Sequence, residues 1–303
     1  EILAGRRARE CRACGLARVG HAEILQNRLA QLKAESESGA VTEKECYWKD
    51  ADEAAAGGVL EVIRELRAQG IHCSPDAAHW AGKNGHLEVI RDLREHGIHC
   101  RSGTADEAAI RGHLAVVQDL RVHGIRASSY GAERAAENGH LEVVRDMINH
   151  GIFCTFRAAD LAAAKGHLEV VLKLRQHGIH CSSMGADRAA MHGHLEIVRE
   201  LRAQGIYCSK DGADWAAGNG HLHVVRDLRA RGVHCTGEAA NHAARNGHLE
   251  IVRDLSAHGI YCTSDGADAA ARNGHLEVIR ELRARGIDCT EWGADGAAQF
   301  GHL

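Results

Sequence analysis

From Gly58 to Phe300 the sequence is nine consecutive copies of one 27-residue unit, without insertion or deletion, and a further GHL at 301–303 opens a tenth. A fixed period of this size is the signature of a solenoid, in which each small unit buries its apolar face against its neighbours. It also lets the chain be compared with itself: positions that stay the same in every copy form the frame, and positions that change lie outside it. Positions are numbered below from the first Gly of each unit, so that Gly58, Gly85 and Gly112 all stand at position 1.

Each unit carries the pattern of two short helices. Positions 3 to 12 (Leu249–His258 in one copy) place Leu at 3, Val or Ile at 5 and 6, and Leu at 9, one apolar stripe at helical spacing. Gly at 13 predicts a left-handed residue that ends this second helix, with Ile or Val at 14 as the contact that accompanies such a cap. Ser or Thr at 17 (Ser74, Thr155, Thr236, Thr290) predicts the N-cap of a first helix over 18 to 26. Pro75, the only proline, falls at 18, the first helical position, where proline is tolerated best. Positions 20, 21, 24 and 25 are nearly all Ala or Gly, which lets neighbouring helices approach closely. Asn-Gly at 27 and 1 (Asn84-Gly85, Asn219-Gly220) closes the turn. These features predict an all-α solenoid of stacked helix-turn-helix units over 58–303. Residues 1–57 form a divergent N-terminal segment holding one irregular copy that carries 11 extra residues.

All eleven aromatic residues lie off the frame. In the regular copies they stand at 15 (Phe153, Tyr207, Tyr261), 18 or 19 (Phe156, Tyr130, Trp292), 23 (Trp80, Trp215) and 27 (Phe300), while Tyr47 and Trp48 fall at 17 and 18 of the irregular copy. Positions 19, 22, 23 and 26 share one face of the first helix by spacing, opposite its alanines. A surface rebuilt residue by residue on a fixed frame, with Trp and Tyr concentrated there, has the composition of a recognition face. Drift on a solvated face is the competing reading.

The stretches AARNGHLEIVRDL and ADAAARNGHLEVIREL (the latter at 267–282) resemble the core of the ankyrin repeat, whose helix-turn-helix carries an AAxxGHLEVVxxLLxxG pattern. The unit is six residues shorter than that family's 33, and the missing residues fall where the family builds its β-hairpin finger. The family's TPLH motif is also absent, with Asp usually at the His position (Asp106, Asp160, Asp187, Asp214, Asp268, Asp295). The resemblance implies a non-enzymatic protein–protein interaction module whose first helices line the binding groove. Carried over position by position, it nominates Trp80, Tyr130, Arg134, Arg157, Arg188, Asp214, Trp215, His242, Asp268 and Trp292, with the loop residues Tyr207 and Tyr261 along the rim.

Other chemistries fit less well. Eight cysteines recur at position 16 (Cys73, Cys100, Cys154, Cys181, Cys208, Cys235, Cys262, Cys289), Ala127 being the exception, and Cys46 matches them in the irregular copy. Stacked units repeat at roughly 10 Å, too far for disulfides, which need Cα atoms within about 7 Å, so a reducing compartment is favoured. The same pitch keeps His-Cys pairs such as His72-Cys73 and His234-Cys235 from sharing a zinc ion. Cys11-Arg-Ala-Cys14 is half of a zinc motif without its other half. The histidines at position 2 (His86, His113, His140 through His275) suit hydrogen bonding to neighbouring loops. No unique constellation breaks the repeat as an active site would, so neither enzyme chemistry nor a cofactor is expected.

Positions 19, 22, 23 and 26 together carry six basic and thirteen acidic residues, which repels phosphate and suits a basic protein or peptide partner rather than nucleic acid. Arginines at 7 and 10 of the second helix, offset by acids at 4 and 8, have the look of a solvated or snorkelling face. The alternative function is a structural or spacer subunit held in an assembly by its ends or that second-helix face. No apolar run approaches the length of a membrane span. The chain starts without Met and ends inside a unit, as a part of a longer protein would.

Overall fold

A computed structural model describes residues 47–302, and side chains from residue 49. Every regular element among them is an α-helix, and the helices alternate between the two roles expected from the sequence. The first helices are α1 (Tyr47–Gly57), α3 (Ala77–Lys83), α5 (Thr104–Ile110), α7 (Ser129–Glu137), α9 (Phe156–Ala164), α11 (Ser183–Met191), α13 (Lys210–Gly218), α15 (Gly237–Arg245), α17 (Ser264–Arg272) and α19 (Glu291–Gln299). The second helices are α2 (Leu60–Ala68), α4 (Leu87–Glu95), α6 (Leu114–Val122), α8 (Leu141–Asn149), α10 (Leu168–Gln176), α12 (Leu195–Ala203), α14 (Leu222–Ala230), α16 (Leu249–Ala257) and α18 (Leu276–Ala284). The described residues form two compact units, one of 47–135 with 142–153, the other of 136–141 with 154–302. Cys11, Cys14 and Cys46 lie outside the described residues.

Within each unit, successive first helices pack on one another: α1 on α3 on α5, and α9 on α11 through to α19. Alanine is the reason. Ala at 21, 24 and 25 (Ala186, Ala189 and Ala190; Ala213, Ala216 and Ala217) is fully buried, so the helix backbones come close. The second helices form the other layer and bury Val or Ile at 5 and 6 and Leu at 9, as Val224, Val225 and Leu228 show. Leu at 3 is half-buried in most copies, so the stripe is narrower than its spacing implies.

The predicted cap of the second helix is present in full. Gly70 has φ +80°, its N–H bonds to Arg67 O at 2.9 Å, and Ile71 N–H bonds to Leu66 O at 2.9 Å, the two bonds of a Schellman motif. Two boundaries differ from the sequence expectation. The second helices end one residue earlier, position 12 being the cap. In α3 and α5 the helix starts at position 20, so Pro75 stands in the turn before α3, where Ala77 N–H bonds to Ser74 O.

Candidate functional site

Three kinds of contact join one copy to the next, and they decide which variable residues are left facing outward. The first is made by the acid at position 22. Asp52 accepts from the Ser74 N–H at 2.8 Å and the Ser74 hydroxyl at 2.5 Å, and Asp106 does the same for Ser128. In the second unit Asp160 holds Ser182, Asp187 holds Ser209, Asp214 holds Thr236 and Asp268 holds Thr290. The hydroxyl at position 17 gives its proton to the preceding copy, and Ser182 and the predicted cap Thr290 make no capping bond to their own helices. In Ser209 and Thr236 the same oxygen also accepts from an N–H of its own helix.

The second contact lies at the turn between the helices. The Asn at 27 donates its amide to a carbonyl at 26 of the preceding copy, as Asn84 to Ala56 O at 2.8 Å and Asn246 to Gly218 O at 2.7 Å. The histidine at 2 bonds to the same row of carbonyls: His86 Nε2 lies 3.0 Å from Ala56 O. Burial lowers the pKa of His86, His194, His221 and His248 below the ordinary histidine value, so these imidazoles are neutral donors. A Cβ on Gly58 would fall 2.3 Å from the His86 ring, a second reason, besides φ +77°, for glycine there.

The third contact is made by the second-helix arginines at 7 and 10, of which those at 7 keep about half their side chain in solvent. Arg226 Nε reaches Asp254 at 2.8 Å and Arg229 reaches the same carboxylate, both across two copies of the helix. Arg199 and Arg202 hold Asp227 in the same way, and in the first unit Arg64 and Arg67 hold Asp92 while Arg91 and Arg94 hold Asp119. Burial alone would raise these four aspartate carboxyls; the arginine hydrogen bonds and charge outweigh it and hold them below the usual value. The acid at 8 thus belongs to the arginines of the preceding copy. The i,i+3 pairs with the acid at 4, such as Arg253–Glu250 at 3.0 Å, remain on the exposed surface.

The cysteine column points inward. Cys208 Sγ donates to Ala186 O at 3.3 Å and Cys100 Sγ to Ala78 O at 3.2 Å. Burial pushes the thiols of Cys73, Cys181, Cys208 and Cys235 up to about 12. All eight described cysteines are free. Among the described residues no group of three or more His, Cys, Asp or Glu is placed to hold a metal ion, and no helix is long and apolar enough to cross a membrane.

What remains open is a surface built from positions 15, 18 and 19. Every residue at these positions in the nine copies is exposed. In the first unit this surface includes Tyr130 and Phe153, with Trp80 at position 23 exposed beside its own copy's Lys83, whose ammonium stands 5.4 Å from the indole centre. In the second unit it includes Phe156, Tyr207, Tyr261 and Trp292, the last 79% exposed. Arg157 and Arg188 are exposed, whereas Arg134, Trp215 and His242 are half-buried, His242 lying over Gly218 of the preceding copy. Asp214 and Asp268, nominated from the sequence, are buried and committed to Thr236 and Thr290. Helical spacing puts position 22 beside 19, 23 and 26, but it turns toward the next copy's loop. The signal that could have found this is the pairing of Asp at 22 with Ser or Thr at 17 of the following copy.

Five of the thirteen acids at positions 19, 22, 23 and 26 (Asp106, Asp160, Asp187, Asp214 and Asp268) hold a following Ser or Thr through neutral donors, so their charge stays with the face.

The helix pair, its glycine-capped second helix, the Asn-Gly turn read by histidine from the next copy, and the absence of any strand among the described residues together settle the fold. Each unit is an α-solenoid of stacked helix pairs. No protein-family model matches the chain, and no curated protein sequence matches it. Among solved structures it is similar to the human ASB11 ankyrin repeat domain, with a TM-score of 0.45 and 20% identity over 51% of this chain and 83% of that one. It is also similar to the pentatricopeptide repeat protein PPR10 from maize, with a TM-score of 0.41 and 13% identity over 85% of this chain and 46% of that one. PPR10 in complex with an 18-nucleotide psaJ RNA element matches at a TM-score of 0.35 and 13% identity, over 90% of this chain and 54% of that one.

Proposed function

We propose that the chain is a non-enzymatic recognition module that binds a protein or peptide through the open surface of positions 15, 18 and 19, with Trp80 beside it. The observation that carries this reading is the placement of its aromatics. Phe153, Phe156, Tyr207, Tyr261 and Trp292 are all more than half exposed, off a frame whose buried side chains are chiefly Ala, Val, Ile and Leu. Large rigid side chains of this kind anchor interfaces at low entropic cost. The alternative, a spacer gripped by its second-helix face, is weakened because Arg67, Arg94, Arg202 and Arg229 are already engaged with the following copy.

The test is a photo-crosslinking amino acid placed at Tyr261 or Trp292 in one pair of variants and at Arg280 in another, used to capture partners from cells. Cross-links concentrated at Tyr261 and Trp292 support the reading. Cross-links concentrated at Arg280 overturn it in favour of the assembly role.

A further inference from the structure

The first helices α15 and α17 both end in arginine, Arg245 and Arg272, at position 26 of consecutive copies. Together with Asn246, Asn273, His275 and Phe300 they line an open groove of about 490 Å³ on the turn side of the second unit. It is open to solvent along most of its length, and no carboxylate lines it. Position 26 elsewhere is Lys83, Ile110, Glu137, Ala164, Met191, Gly218 or Gln299, so paired arginines occur here alone.

An arginine at a helix C-terminus also complements the helix dipole, and that role by itself calls for no ligand. Lys83, the equivalent residue in an earlier copy, is neutralised by Glu107 at 3.1 Å. Neither Arg245 nor Arg272 has an ion-pair partner among the described residues. Both are exposed, and the groove adds a half-buried imidazole at His275. The two asparagines are fixed: Asn246 donates to Gly218 O at 2.7 Å and Asn273 to Arg245 O at 2.8 Å, which leaves their amide oxygens to accept. Phe300, 58% exposed, stands where other copies have a polar or charged residue, and so offers an apolar ring face to the same groove.

These groups make a composite. Guanidinium forks match phosphate oxygens through paired charge-assisted bonds. A free aromatic face stacks on any flat heterocycle, and an oriented amide reads the hydrogen-bonding edge of one. We propose that this groove binds a nucleotide, its phosphate on Arg245 and Arg272 and its base against Phe300. The unit bound is the same whether it comes as a free nucleotide or within single-stranded nucleic acid. The site is separate from the surface of positions 15, 18 and 19, and neither proposal depends on the other.

Calorimetric titration with adenosine 5′-monophosphate, inorganic pyrophosphate and a short single-stranded oligoribonucleotide tests it, on the whole chain and on Arg272→Ala, Arg245→Ala and Phe300→Ala. All three residues are exposed, so circular dichroism and thermal melting should show the variants folded like the parent. The expected result is saturable nucleotide binding that weakens about ten-fold on losing either arginine and measurably on losing Phe300. An oligonucleotide that binds tighter than the mononucleotide, with the same dependence on Arg272, marks a polymer as the source; equal affinity marks a free nucleotide. No saturable binding of any probe overturns the proposal. So does binding indifferent to all three substitutions, or pyrophosphate binding as tight as the nucleotide with Phe300→Ala without effect.

Discussion

Asp214 accepts two hydrogen bonds from one residue in the next copy, the Thr236 N–H at 2.8 Å and the Thr236 hydroxyl at 2.6 Å. It sits on the first helix α13, 7% exposed, and fixes the loop that starts the first helix of the following copy. The repeat is thus cross-linked through residues that in sequence look like variable surface.

Asp214→Ala should therefore cost stability and spare recognition. The substitution leaves a backbone N–H and a hydroxyl without their acceptor, a loss of about 1–3 kcal/mol. Urea unfolding followed by circular dichroism measures it, alongside partner capture at a temperature where the variant is folded. A variant as stable as the parent but unable to bind would return Asp214 to the recognition surface.

The helix pair, the cap glycines and the close-packed alanines were legible because each rests on a local rule with a fixed spacing. Gly70, Asn84-Gly85 and the buried Leu228 all stand where periodicity places them. The role of position 22 was not legible in that way, because helical spacing says which residues share a face and not what the next copy brings against it. One of the copies without Asp at 22 makes the point. Position 22 is His79 in one copy, and the following copy has Arg101 at 17 and Thr104 at 20, with His79 Nδ1 2.9 Å from the buried Thr104 Oγ1. The partner changes with the residue, so the contact is a relation between copies. Which acid holds the arginines at 7 and 10 was not legible for the same reason: the one at 8 is on the next copy.

Asp254→Asn should loosen the second-helix layer. The neutral amide retains shape but gives up the charge that holds Arg226 and Arg229, with an expected loss of about 1–3 kcal/mol in low salt. High salt should shrink the difference between parent and variant, because Arg226 is largely exposed and screened. Melting curves at low and high salt measure both effects, and a difference that grows with salt contradicts the clamp.

Acid should destabilise the fold in two separated steps. The folded-state pKa values of His86, His194, His221 and His248 lie below the ordinary 6.5, so the unfolded chain binds protons first. Their contribution is intact above about pH 6.5 and is lost as pH falls from there toward the folded values. Asp92, Asp119, Asp227 and Asp254, held below 3.8, lose theirs only as pH falls through that lower range. Melting temperature measured from pH 8 to pH 3 should therefore drop first near neutrality and again in the acid region. The double variant His86→Gln/His248→Gln should flatten the first drop and leave the second. A first drop unchanged in that variant removes these histidines as its cause.

The cysteine column should be chemically quiet in the native protein. A thiol held near 12, as at Cys208 and Cys235, contributes almost no thiolate at pH 8, and each Sγ–H is bonded to a buried alanine carbonyl. Alkylation with iodoacetamide read by peptide mass spectrometry should modify these two sites slowly in buffer and rapidly in guanidinium chloride. Fast native labelling at both would place the thiols in solvent and break the inward column.

The tryptophans separate packing from recognition most directly. Trp80 is 38% exposed with a lysine ammonium over its ring, while Trp215, at the equivalent position, is half-buried. Trp80→Ala removes less packed surface than Trp215→Ala, so it should lower the melting temperature less while weakening partner capture strongly, as loss of an aromatic anchor does. Trp215→Ala should do both, since part of its ring is packed. Binding retained in Trp80→Ala, with a large fall in melting temperature, would assign that indole to the core and move the recognition surface away from position 23.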